Sequence, residues 1–227
     1  MGVRRHGKGC QRALRNEGDS REPESAGGFE RRPFGIWDGG RCWVVASGPS
    51  LTQEDAEKLK GENTIVVNST VGMMPWASVL WACDDAWWAK NKELWQDFQG
   101  LKFTWCKGSA QRFGLRHVRG TNNPGLGKEI LHSGGSGGYM AINLAYHLGA
   151  RWIGLLGFDM QMTGGKTHFF GDHRRTSNPT EGLLKDWVPK FVPLYHDLKS
   201  EGVELVNCTR ETALTIPRAD LDDVLNG

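Results

Sequence analysis

The chain has 227 residues, 38% hydrophobic and 24% charged, which are the proportions of one globular domain with a core of ordinary size and exclude a fibrous or wholly disordered chain. A formal net charge of +2 gives no strong single-sign field of the kind that steers proteins to nucleic acid or to a membrane surface. No apolar run approaches the roughly 20 residues that cross a bilayer, and the N-terminus lacks the apolar stretch of a secretory signal. The five cysteines (Cys10, Cys42, Cys83, Cys106 and Cys208) are scattered, with none two or three residues apart. That spacing argues against a disulfide framework or a zinc knuckle and for a reducing cytosolic home.

Residues 1–38 mix Arg, Gly, Glu, Ser and Pro and are poor in aliphatic side chains, too poor to offset the entropy of ordering. They read as a disordered or non-native arm, with the folded domain at 39–227. Residues 42–46 form a short apolar run ended by Ser47-Gly48-Pro49-Ser50, the pattern of a buried strand. Thr52 and Asp55 open a helix as N-cap and capping-box partner. Further strands are expected at 64–67, 78–82 and 101–105, with a helix at 86–98. Residues 106–132 lack periodicity and read as a long loop or lid. A glycine-rich turn, 133–138, leads into a helix whose Ala141, Leu144, Ala145 and Leu148 follow the spacing of a buried face, and Gly149 stops it. A strand at 152–156, a helix at 180–200 broken or kinked by Pro189 and Pro193, a strand at 203–206 and a short helix at 219–225 complete the chain. Six tryptophans fall between positions 76 and 105, and core packing is the simpler account of them than an aromatic ligand wall.

Alternating strands and helices imply an α/β domain: a mostly parallel, Rossmann-like sheet with helices on both faces. Ligands of such sheets bind outside the carboxyl ends of the strands. Those ends read Ser47-Gly48-Pro49-Ser50, Asn68-Ser69-Thr70, Asp84-Asp85 and Gly157-Phe158-Asp159. Ser133-Gly134-Gly135-Ser136-Gly137 adds a backbone that can approach an anion at a helix start, although it is neither a Walker A loop nor a GxGxxG. The segment 159–173 carries Asp159, Thr167, His168, Asp172 and His173. Either histidine there is a candidate general base, with Asp159 or Asp172 orienting it. A metal site built from Asp159, His168 and His173 would match no standard zinc spacing. Asp84 and Asp85 are candidates either to cap a helix or to hold a divalent ion on a diphosphate.

Two features carry a resemblance. Val44-Val45-Ala46-Ser47-Gly48-Pro49-Ser50-Leu51 resembles the opening strand and loop of two related groups. One is the family of the archaeal 6-hydroxymethylpterin diphosphokinase MptE, with stand-alone members in phages and prophages. The other is a bacterial sialyltransferase family that uses CMP-sialic acid. The Ser133–Gly137 turn, its helix and the strand ending Gly157-Phe158-Asp159 resemble a second block shared by both. Gly165-Lys166-Thr167-His168 and Val206-Asn207-Cys208-Thr209 resemble MptE-like segments. The resemblance implies a nucleotide site lined by Gly48, Pro49, Ser50, Asn68 and Ser133 to Gly137, with His168 or His173 at the position of a base. The resulting expectation is a nucleotide-dependent transferase, foremost a glycosyltransferase joining a nucleotide sugar to a small-molecule or glycan acceptor. The alternatives are a diphosphokinase using ATP with Mg²⁺ and a non-catalytic nucleotide-binding protein of phage type.

Overall fold

The computed structural model describes residues 36–173 and 178–227. Its apolar runs become strands because each is buried on both faces. β1 (Arg41–Val45), β2 (Thr64–Val67), β3 (Val79–Trp81), β4 (Leu101–Thr104), β5 (Arg116–His117), β8 (Trp152–Leu156) and β9 (Glu204–Asn207) form one sheet in the order β5-β4-β3-β2-β1-β8-β9. Every pairing in it is parallel. β6 (Gly120–Thr121) and β7 (Leu131–His132) make a separate two-stranded ribbon.

Side chains alternate between two cores. Cys42, Val44, Ile65, Val67, Trp81 and Leu155 point to one face, where they meet α5 (Gly137–His147) and α7 (Phe191–Ser200). Trp43, Val45, Val66, Leu80 and Leu156 point to the other, against α1 (Gln53–Lys58), α2 (Asp85–Lys90), α3 (Lys92–Trp95) and α8 (Leu221–Asn226). The expected α/β fold with helices on both faces is therefore present. The capping box is formed as well: Thr52 Oγ1 accepts the Asp55 N–H at 3.1 Å, and Asp55 Oδ2 accepts the Thr52 N–H and hydroxyl. Arg210 clamps the same carboxylate through Nε and Nη2 at 2.9 and 2.6 Å.

Several local expectations change. Segment 106–132 is not one long loop. It holds α4 (Lys107–Phe113), which Gly114 closes in the left-handed region, and then β5, β6 and β7. The helix expected over 86–98 is two helices, because Asn91 leaves helical geometry at φ −124°. The helix over 180–200 is broken at Pro189 as expected, into α6 (Glu181–Trp187), a 3₁₀ turn at Val188–Lys190 and α7, while Pro193 is accommodated in the first turn of α7. Trp81, Trp87, Trp88 and Trp95 are core residues, the last three linked by edge-to-face contacts. Order also begins before residue 39, since Trp37 is buried and its N–H bonds to Leu148 O. The rest of the expected arm, 1–35, lies outside the described residues.

Candidate functional site

The sheet order has its switch point between β1 and β8. The chain leaves β1 toward β2 and leaves β8 toward β9, so the two following loops diverge and open a crevice. The loops are nevertheless tied to each other at their base. Gly48 N–H bonds to Gly157 O at 2.8 Å. The Asp159 carboxylate accepts from Ser50 N–H at 2.9 Å, from Ser50 Oγ at 2.8 Å and from Thr163 Oγ1 at 3.0 Å. A Cβ on Gly48 would lie only 2.0 Å from Asp159 Oδ1, which is why glycine stands there. Burial raises the Asp159 pKa, and the hydrogen bonds from Ser50 and Thr163 oppose that rise. Asp159 thus fixes the Gly48-Pro49-Ser50 loop. Neither imidazole bonds to it among the described residues, so orientation of a histidine is not its role in this geometry.

The partner of His168 is Ser47, whose Oγ lies 2.9 Å from Nδ1. The neighbouring Phe169 N–H bonds to Ser47 O, clipping the 168–173 segment onto the end of β1. His168 Nε2 is buried without a hydrogen-bond partner among the described residues, and the ring is stacked on Phe170. Burial, with a smaller contribution from the charge of His173, pushes its pKa down to about 4. The His173 ring centroid is 4.5 Å from that of His168. Burial lowers the His173 pKa too, and the negative charge of Asp172 opposes this. Asp172 Oδ1 in turn accepts from Thr167 Oγ1 at 3.3 Å. Both rings are therefore neutral near pH 7.

The Ser133–Gly137 turn is more self-contained than its sequence suggests. Gly134 N–H bonds to Asn123 O, Gly135 N–H to Ser133 Oγ and Ser136 N–H to Ser133 O. Ser133 Oγ itself donates to Asn122 Oδ1. Gly134 and Gly135 take φ +49° and +104° to make this turn. At the start of α5, Ser136 Oγ caps the N–H of Tyr139. The N–H groups of Gly137 and Gly138, the first of the helix, have no partner among the described residues. That helix end lies against Phe158 from the end of β8 and against Val67 and Cys83 from the ends of β2 and β3. It therefore overhangs the crevice.

Asn68 follows β2 with φ +51°, a left-handed conformation uncommon for a residue with a side chain, and its Oδ1 is buried without a partner among the described residues. A buried orphaned acceptor costs stability, and a ligand donor would satisfy it. Ser69 Oγ accepts from Trp87 Nε1 at 3.2 Å. Asp84 sits at the N-cap of α2 without a side-chain cap bond, and burial raises its pKa. Asp85 accepts from Ser109 Oγ at 2.8 Å. Among the described residues no three His, Cys, Asp or Glu side chains are grouped as a metal cage.

A cleft of about 610 Å³ opens beside this crevice. Met73, Leu94 and Phe170 give it an apolar lining, while Ser69, Asp172 and His173 supply polar groups. It joins Ser69, at the end of β2, to His173, one of the two candidate bases. His168 is not part of its wall. Among the functional positions, the sequence reading missed Ser47 as the partner of His168 and Thr163 as a partner of Asp159. Both pairs join loops whose proximity only the strand order creates. Two hydroxyl residues beside the motifs were the available signal.

No family model and no curated protein matches the chain. Among solved structures, the sialyltransferase CstII from Campylobacter jejuni, determined in complex with the substrate analogue cytidine-5'-monophosphate, is similar with a TM-score of 0.51. The match covers 80% of this chain and 85% of that one, at 15% sequence identity. The chain has a sialyltransferase-like α/β fold. No helix among the described residues is long and apolar enough to cross a membrane.

Proposed function

We propose that the protein is a glycosyltransferase that uses a nucleotide sugar, with the nucleotide in the switch-point crevice and the acceptor in the adjoining cleft. The observation that carries this reading is the meeting in one crevice of the first N–H groups of α5, without a partner among the described residues, and Asn68, whose φ is +51° and whose buried Oδ1 has none either. Donors without acceptors suit a phosphate, and a buried lone acceptor suits a base or ribose donor. The similar fold, determined in complex with cytidine-5'-monophosphate, supports the same class of ligand.

His173 is the better candidate base, because it lines the cleft whereas Nε2 of His168 is sealed from solvent. In the reaction the acceptor hydroxyl oxygen bonds to the anomeric carbon and its proton passes to the neutral His173 ring. The bond from the anomeric carbon to the phosphate oxygen breaks, and its electron pair leaves with the nucleotide. His168, held by Ser47, packs behind His173 and keeps it turned to the cleft. Replacing His173 with Asn should lower kcat by about 10²- to 10⁴-fold, the usual worth of a general base, and leave nucleotide binding intact. The assay is transfer from a panel of CMP-, UDP- and GDP-sugars without metal. Full activity of His173→Asn would remove the assigned base. Binding of ATP only with Mg²⁺, together with AMP release, would replace the reading with a diphosphokinase.

A further inference from the structure

Behind the glycine turn stands a pair of side chains that no sequence motif marks. A Cβ placed on Gly135 would lie 2.7 Å from Trp187 Nε1 and 3.3 Å from Lys190 Nζ. Both residues come from the end of α6 and the following 3₁₀ turn, and both are half-buried. Lys190 makes no ion pair among the described residues. Its backbone is anchored where it stands, because Tyr139 Oη, on the first turn of α5, donates to Lys190 O at 3.1 Å. Beneath the same helix end lies a fully buried side chain, Trp81, whose indole N–H has no partner among the described residues and whose Nε1 is 4.0 Å from the Cβ position of Gly137.

Several donors and one cation converge here. They are the N–H groups of Gly137 and Gly138, the indole N–H groups of Trp81 and Trp187, and the ammonium of Lys190. The positive end of an eleven-residue helix adds to them. The Trp81 indole N–H is buried without an acceptor among the described residues, and an anion reaching the helix end would supply one. Asn68, on the base or ribose side of the crevice, is by contrast an acceptor without a donor. The two halves are thus complementary to the two ends of a nucleotide.

We propose that Lys190 and Trp187, with the start of α5, form the phosphate subsite of this crevice, and that Lys190 stabilises the charge gathering on the phosphate as it leaves the sugar. The proposal rests on the nucleotide-sugar reading above and adds to it the residues that hold the leaving group. As the anomeric carbon–oxygen bond breaks, the phosphate gains one negative charge, and an ammonium ion within contact distance favours that state over the intact donor.

The test compares binding of CMP, UMP, AMP and GMP with binding of their four nucleosides by isothermal titration calorimetry. The wild-type protein should hold the preferred monophosphate about 10- to 100-fold tighter than its nucleoside, the range for hydrogen bonds to a charged group. Lys190→Met should remove most of that ratio without changing nucleoside affinity, and Lys190→Arg should keep part of it. Trp187→Phe should cost a smaller factor. Unchanged nucleoside binding shows that each variant is folded. A monophosphate bound no tighter than its nucleoside overturns the subsite and leaves the nucleotide reading standing. So does a Lys190→Met protein with the wild-type ratio, or one that loses nucleoside binding equally. Failure of all eight compounds to bind overturns the subsite and the nucleotide reading together.

Discussion

Replacing Gly48 with Ala tests whether the tie between the β1 and β8 loops holds the site together. The new methyl carbon would stand 2.0 Å from Asp159 Oδ1 and 2.5 Å from Gly157 O, and real Cβ atoms essentially never come within 3.0 Å. One loop must therefore retreat by about 1 Å. Such a retreat stretches the bonds from Ser50 N–H and Oγ to Asp159 from 2.9 and 2.8 Å beyond useful range. Overpacking of this kind costs about 1–3 kcal/mol, and each hydrogen bond to a carboxylate about 1.5–3 kcal/mol. Partial relaxation brings the sum to a loss of ~3 kcal/mol, a large share of the stability of an ordinary domain. Gly182→Ala provides the opposite sign. Gly182 lies in α6 with open space around its Cβ position, so alanine there should stabilise by about 0.5–1 kcal/mol. Urea unfolding of the wild type and both variants gives the three values. A Gly48→Ala protein within 0.5 kcal/mol of the wild type would refute the argument that Asp159 fixes this loop.

Acid should weaken the fold through His168. Its folded-state pKa of about 4 lies below the ordinary 6.5, so the unfolded chain binds more protons between those values. Stability is complete above pH 6.5 and falls as pH drops toward 4, by ~1–2 kcal/mol once partial exposure is allowed for. Urea midpoints at pH 7.5, 6 and 5 should show that fall and His168→Gln should flatten it, whereas a rise on acidification would contradict it. Tyr139→Phe orphans the Gly125 N–H that its hydroxyl accepts at 2.6 Å and frees the Lys190 carbonyl. It should cost about 1–3 kcal/mol by denaturation. In the same variant the tighter binding of monophosphate over nucleoside should shrink, and an unchanged ratio would detach Tyr139 from the anion site. Activity, once a donor is known, should fall on acidification with a midpoint below 6.5, because His173 must be neutral and burial lowers its pKa.

The central strands β1, β2, β3 and β8 were readable because each is a short apolar run buried on both faces, as in Val44-Val45 and Ile65-Val66-Val67. The small polar residues at their ends marked the crevice for the same reason: apolar side chains stop where the sheet stops. Lys107–Phe113 escaped notice because two turns give too short a window for a periodic pattern. The break at Asn91 follows from backbone geometry that no neighbour announces. The roles inside the site depend on pairings across long stretches of chain. Ser50 and Asp159 are 109 positions apart, and Ser47 and His168 are 121 apart. Spacing alone therefore offered Asp159 as a partner of histidine, or less readily of a metal, and did not single out Ser50. The glycine turn was legible as a helix start but not as a turn that consumes most of its own donors. Trp187 and Lys190 carry no motif; they stand at the end of α6 and in the 3₁₀ turn that holds Pro189.

The most direct test of the central claim is a crystal structure of the protein grown with saturating CMP. The account predicts phosphate density within hydrogen-bond distance of the Gly137 and Gly138 N–H groups and a base or ribose donor on Asn68 Oδ1. Nucleotide density elsewhere on the protein, with those groups still unpaired, would contradict it.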